Sequence, residues 1–167
     1  MVVTAERGAT NLQTTPIAIQ AISGTQLQEL HLNSAQSLQA TVPNFTVNDN
    51  GGQYESYNIR GIGNTAITPS ITTGVAVFRD GLLLSETIGQ NVPLYDIADT
   101  EVLEGPQGTF VGASSTGGAI QINSQDPNFR RINGYAAVEA GTYSLWKSDG
   151  ALNAPLSSTT RLRLRGT

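Results

Sequence analysis

Four carboxylates crowd one short stretch of the chain, Asp96, Asp99, Glu101 and Glu104, and paired acids are the raw material of general acid–base catalysis. That chemistry needs a nucleophile or a second titratable group held beside them. The single histidine, His31, lies far off on a predicted short helix and reads as a solvated surface residue. Asp99 reads as a turn cap, and Glu101 and Glu104 as the flanks of a strand. The glycine clusters Gly61-Ile62-Gly63 and Gly105-Pro106-Gln107-Gly108 are not followed by the Gly-Lys-Ser/Thr of a phosphate loop and lack dinucleotide-binding spacing. Residues 112–117 fail the spacing of a nucleophile elbow. The chain has no cysteine, which removes disulfides and thiolate metal sites. No catalytic residue, metal site or cofactor is expected, and the protein is not read as an enzyme.

Charge divides the chain in two. Residues 1–129 hold three basic residues (Arg7, Arg60, Arg79) and eleven acidic ones, whereas residues 130–167 hold six basic and two acidic. A break of this kind marks a boundary. The larger part is acidic and has no basic stripe, so nothing argues for a nucleic-acid partner. No apolar run approaches the roughly 20 residues of a spanning helix. Residues 1–7 have neither a basic start nor an apolar signal core, which leaves a cytoplasmic protein and an exported one trimmed to its mature part equally open.

The elements that would position these residues are short. Residues 1–15 are polar and aperiodic and read as a flexible segment. Ile17–Ile22 alternates as a strand, Ser23-Gly24-Thr25 offers cap chemistry, and Leu27 and Leu30 give a short helical face. A second short helix is predicted near residues 34–41, with Leu38 and Val42 inward and Pro43 closing it. Residues 57–60 read as a strand. Residues 75–79 and 82–84 form a hairpin around Asp80-Gly81, since a type I′ turn needs positive φ at both central positions. Residues 101–104 and 119–123 complete the strands. Loops over 48–56, 61–73 and 85–93 are long, and such loops in a compact domain usually serve function. Tyr54, Tyr57 and Tyr95 lie in or beside them. Packing is favoured for Tyr57 and Tyr95, while recognition and packing weigh evenly for Tyr54. After Pro127, residues 134–141, 145–152 and 161–165 alternate as three strands, the last as Arg161-Leu162-Arg163-Leu164-Arg165. A soluble sheet edge and a membrane barrel strand with leucine towards lipid both suit that pattern.

Four stretches together resemble the TonB-dependent outer-membrane receptor family. Val2-Val3-Thr4-Ala5 is similar to a TonB box, and Asn58-Ile59-Arg60-Gly61 to the family's Ile-Arg-Gly strand. Residues 74–81 resemble its Val-Tyr-Val-Asp-Gly hairpin. Residues 101–109 with 117–122 resemble its Leu-Arg-Gly-Pro-Gln-Gly and Gly-Gly-Ala-Ile runs. The resemblance implies an α+β plug domain, a small mixed sheet with short helices and long apical loops, followed by the first antiparallel strands of a transmembrane β-barrel. The implied division is a flexible segment over 1–15, a plug over 16–127 and barrel strands over 128–167.

The resemblance also implies a role: gating the energy-coupled uptake of a scarce nutrient, an iron–siderophore complex foremost, across the bacterial outer membrane. The plug would sit in the lumen of its own β-barrel with a periplasmic N-terminus. Residues 2–5 would bind TonB, and Arg60 would lock the plug to barrel carboxylates. Gly61, Gly81, Gly105, Gly108, Gly117 and Gly118 would shape the plug. Tyr54, Asn64, Thr65 and Gln90 are the loop candidates for touching a small ligand such as a siderophore. Glu104 departs from the family, which has arginine there, so a barrel carboxylate opposite it would meet an acid. The alternative is a soluble α+β ligand-binding module with a plug-like fold and no transport role.

Overall fold

The computed structural model describes residues 2–3, 10–11, 18–49, 51, 54–63, 74–85, 90–106 and 115–166. They fall into two compact units, Met1–Asn123 and Ser124–Thr167.

In the first unit, β1 (Val2–Val3) pairs antiparallel with β2 (Thr10–Asn11) in a two-rung ladder. These rungs lie within residues 1–15, the stretch read as a flexible segment. Two β-branched residues take up the extended state readily, although a lone two-stranded ladder is only marginally stable. A five-stranded sheet follows, built from β3 (Ala18–Ser23), β7 (Val75–Arg79), β8 (Leu82–Leu83), β9 (Ile97–Glu104) and β10 (Gly118–Ser124). Its order is β3-β9-β10-β7-β8. β3 runs antiparallel to β9, while β7 and β10 run parallel, with Val75 opposite Gly118 and Val77 opposite Ile120. A separate three-stranded sheet holds β4 (Phe45–Asp49), β5 (Glu55–Ile59) and β6 (Ile62–Gly63).

One apolar cluster joins the two sheets. Ile22, Val75, Val77, Val102, Ile120 and Ile122 pack with Tyr57, Ile59, Phe45 and the helical residues Leu27, Ala35 and Leu38. The opposite face of the larger sheet carries a thinner layer, Ala76, Leu103 and Ala119 with Ile19, Phe78 and Leu83. Helix α1 (Gly24–Glu29) starts where sequence placed its cap. Ser23 Oγ accepts the Gln26 N–H, and the Gln26 side chain returns to the Ser23 N–H, a reciprocal box that satisfies two orphan donors. The second predicted helix is a 3₁₀ helix, Ala35–Ala40, capped in the same way by Ser34 and Ser37. His31 lies just beyond α1 with φ 52°, and not on a helix. β4 runs into the expected 48–56 loop at Asn48 and Asp49, β6 falls where a loop was expected, and β9 begins four residues earlier than predicted.

In the second unit, β11 (Asn133–Ala140), β12 (Trp146–Pro155) and β13 (Arg161–Gly166) form an antiparallel meander. Its register sorts the side chains onto two faces, with Ser148 the polar residue on the first. Val138, Ala140, Trp146, Leu152, Ala154, Leu162 and Leu164 share one face. Asn133, Glu139, Lys147, Asp149, Asn153, Arg161, Arg163 and Arg165 share the other. On the first face Val138 is 71%, Trp146 76% and Leu164 58% exposed. Buried Asn153 fastens the approach to β11: its side-chain oxygen accepts the Asn128 N–H at 2.8 Å, and its amide donates to Arg131 O at 2.9 Å. No helix among the described residues is long and apolar enough to cross a membrane, a statement that leaves strands aside.

Candidate functional site

Arg60 and Glu104 meet, although 44 residues separate them. Arg60 and Gly61, with φ of 54° and 75°, make the two-residue turn between β5 and β6. This turn has the form of Asp80-Gly81 between β7 and β8 (φ 51° and 79°). A left-handed arginine costs roughly 1–2 kcal/mol. Its N–H is held by Asn44 O at 2.8 Å, and Arg60 Nε donates to Glu104 Oε2 at 2.8 Å. Glu104 ends β9. Its side chain is 7% exposed, whereas that of Arg60 is 51% exposed. The carboxylate is therefore sunk, and the guanidinium spans from it to solvent. The concern raised by an acid at position 104 has a local answer: its counter-charge is the neighbouring Arg60.

Glycines surround this junction. Gly105 N–H donates to Gly117 O at 3.0 Å, and Gly117 N–H to Gly74 O at 2.8 Å. A Cβ on Gly117 would stand 2.7 Å from Ile62 O. Gly118, at φ 147°, would drive a Cβ into Leu103 O and to 2.9 Å from the Ile59 side chain. These two glycines let three strands approach more closely than any side chain allows. Gly61, Gly81 and Gly105 occupy positive-φ turns, and Gly108 lies outside the described residues.

At the other end of β5 a buried polar group gathers. The Tyr57 hydroxyl donates to Gln90 O at 2.6 Å and meets Glu55 Oε2 at 3.1 Å. Its ring stacks on Phe45, with centroids 5.8 Å apart. Gln90 Nε2 donates to Leu84 O at 3.1 Å. Burial raises the Glu55 carboxyl above its ordinary 4.5; the Tyr57 hydrogen bond opposes this, and Asp49 on the neighbouring strand adds to it. Burial, then the Glu55 charge, raises the Tyr57 phenol. Gln90, a candidate ligand contact, is 1% exposed, and its amide braces the base of its own loop. Tyr54 is exposed, while Asn64 and Thr65 lie outside the described residues. Val2 and Val3 form β1, and Thr4 and Ala5 lie outside the described residues. Of the four clustered acids, Asp99 accepts from Asn123 Nδ2 at 2.8 Å and Glu101 is buried within β9, so neither caps nor flanks the strand. No group of acids and histidine among the described residues is arranged to hold a metal.

The model of the TonB-dependent receptor plug domain matches residues 11–119. The chain belongs to this family. The match takes in the Arg60 turn, Glu104, the glycine junction and the Tyr57 cluster. Among curated plug-bearing relatives, the pesticin receptor of Yersinia pestis is 26% identical over 140 residues, covering 81% of this chain and 20% of that protein. The vitamin B12 transporter of Vibrio vulnificus is 29% identical over 164 residues, covering 92% of this chain and 25% of that protein. The ferripyoverdine receptor of the Pseudomonas aeruginosa outer membrane, solved bound to ferripyoverdine, shares the fold at a TM-score of 0.80 and 20% identity. That match covers 98% of this chain and 21% of the receptor. The chain thus spans a fifth to a quarter of the length of these relatives. These relatives are receptors and transporters, and TonB-dependent receptors are outer-membrane proteins. Sequence reasoning missed Glu104 as the partner of Arg60, because nothing local joins positions 44 residues apart.

Proposed function

We propose that the chain is the plug and first barrel strands of a TonB-dependent receptor that takes up a scarce nutrient, an iron–siderophore complex foremost, across the outer membrane. The observation that carries the reading is the three-stranded sheet that follows the plug. One of its faces is apolar and exposed apart from Ser148 and the other carries every charge on the strands, the pattern of a barrel wall between lipid and a polar lumen. β12, at ten residues, has the length of a membrane-crossing strand. A soluble module would leave Trp146, Leu152 and Leu164 in water without gain.

In this reading the plug fills the barrel lumen and its N-terminus faces the periplasm. Residues 2–5 are the segment that TonB captures, by adding it as a strand to its own sheet. The β1–β2 ladder already holds Val2 and Val3 extended, and its two rungs oppose little when TonB competes for them. Arg60 keeps an outward part of its guanidinium to receive a barrel carboxylate. Tyr54, Asn64 and Thr65 meet the ligand from the loops. The siderophore is favoured by the ferripyoverdine receptor's own ligand, while the vitamin B12 transporter marks the competing class of cargo.

Deleting residues 2–5 from the full-length receptor tests the reading. Accumulation of iron from a panel of iron–siderophore complexes is expected to fall to background, with surface binding of the same complexes retained. Undiminished accumulation would overturn it.

A further inference from the structure

We propose that Glu104 is an internal counter-charge that fastens the β4–β5–β6 sheet to the five-stranded sheet, with the Arg60 guanidinium as its hook. The inference rests on the first unit alone and holds whatever the chain's cargo.

Among the described residues the two sheets share no ladder. They are joined by an apolar cluster, and apolar contact is non-directional. It draws the sheets together without fixing where one lies on the other. A charged hydrogen bond does fix it, because its energy depends on angle as well as distance. Arg60 belongs to the smaller sheet's turn and Glu104 to the last position of β9 in the larger sheet. Both ends of the bond are set by backbone. Arg60 is pinned in a left-handed turn by Asn44 O. Glu104 is paired opposite Ala18 and followed at once by Gly105 at φ 97°. A carboxylate removed from water is costly without a counter-charge. Glu104 is nearly sunk, so it depends on the arginine, whereas half-exposed Arg60 depends little on it. The arginine also lies beside the glycine junction: a Cβ on Gly105 would stand 3.9 Å from Arg60 Nη1. The hydrogen bonds from Gly105 to Gly117 and from Gly117 to Gly74 continue from there. Loosening the pair therefore loosens this corner while the sheet interiors stay closed.

Amide hydrogen exchange on the full chain tests this with Arg60→Gln, Glu104→Gln and the double variant. In Arg60→Gln, protection at residue 60, Gly105 and Gly117 is expected to drop roughly tenfold, with Val102 and Ile120 unchanged. Glu104→Gln is expected to lose less, because it removes the charge that needs a partner. The double variant should fall no further than Arg60→Gln alone. Unchanged protection in Arg60→Gln, a uniform loss across both sheets, or additive losses in the double variant would each overturn the proposal. If Arg60→Gln does not fold, Glu104→Gln decides: a loss confined to residue 60, Gly105 and Gly117 supports it, and unchanged protection overturns it.

Discussion

Tyr57 and Glu55 concentrate several dependences in a few atoms. The Tyr57 hydroxyl holds Gln90 O, and so ties the end of one long loop to β5. Tyr57→Phe keeps the ring on Phe45 and removes the hydroxyl. It is expected to cost about 1–2 kcal/mol, seen as a lower urea midpoint with an unchanged slope. Glu55 gives a signed pH dependence. Its folded pKa lies above 4.5, its unfolded value, so the folded chain holds this proton more tightly. Its contribution to stability is whole below about pH 4.5 and is lost as pH climbs through the raised folded value. Glu55→Gln keeps an acceptor for Tyr57 and is expected to flatten that decline. Urea midpoints followed from about pH 4 to about pH 8 for both proteins check it.

The glycine junction sets the tolerance of the strands it joins. Gly118→Ala is expected to lose at least about 2 kcal/mol, because a Cβ meets both Leu103 O and Ile59. Gly61→Ala, with nothing within 4 Å of its Cβ, is expected to lose only the cost of a left-handed alanine, about 1 kcal/mol. Thermal unfolding of the two variants separates crowding from strain. What could be read in the sequence follows the same logic. The Asp80-Gly81 hairpin was legible because both turn residues announce positive φ and apolar runs flank them. The Arg60-Gly61 hairpin was not, because arginine is a poor sign of such a turn and β6 is two residues long. β4 was hidden because its last residues, Asn48 and Asp49, read as turn formers. The barrel alternation was legible over 161–165, where leucine and arginine take turns. β12 was read short because Asn153 and Pro155 look like loop residues, yet Asn153 is buried and bonds back to Asn128.

The molecule as a whole combines a plug with strands that need a different solvent. Leu164→Arg in the full-length receptor is expected to cost about 2–4 kcal/mol where the strand crosses the bilayer, seen as less folded receptor in outer-membrane fractions. Ala137→Arg lies on the opposite face, across from Asp149. It is expected to leave that fraction unchanged. Equal losses from both would place the apolar face away from lipid. The sequence showed the boundary between the two parts as a change of charge near residue 129, and the compact units divide at Asn123 and Ser124. The internal pairing of Arg60 was out of reach, since it depends on which ends of two sheets meet.

The register of the edge strand gives the Arg60–Glu104 pair a mechanical meaning. Ala18, the first residue of β3, lies opposite Glu104. Any tension applied to the chain before residue 18 is delivered to that rung ahead of the five that follow it. The residue that first feels the load on β9 is thus the one hooked to the second sheet. The rung that tension from the N-terminus reaches first is therefore the one from which a charged hydrogen bond leads to the second sheet.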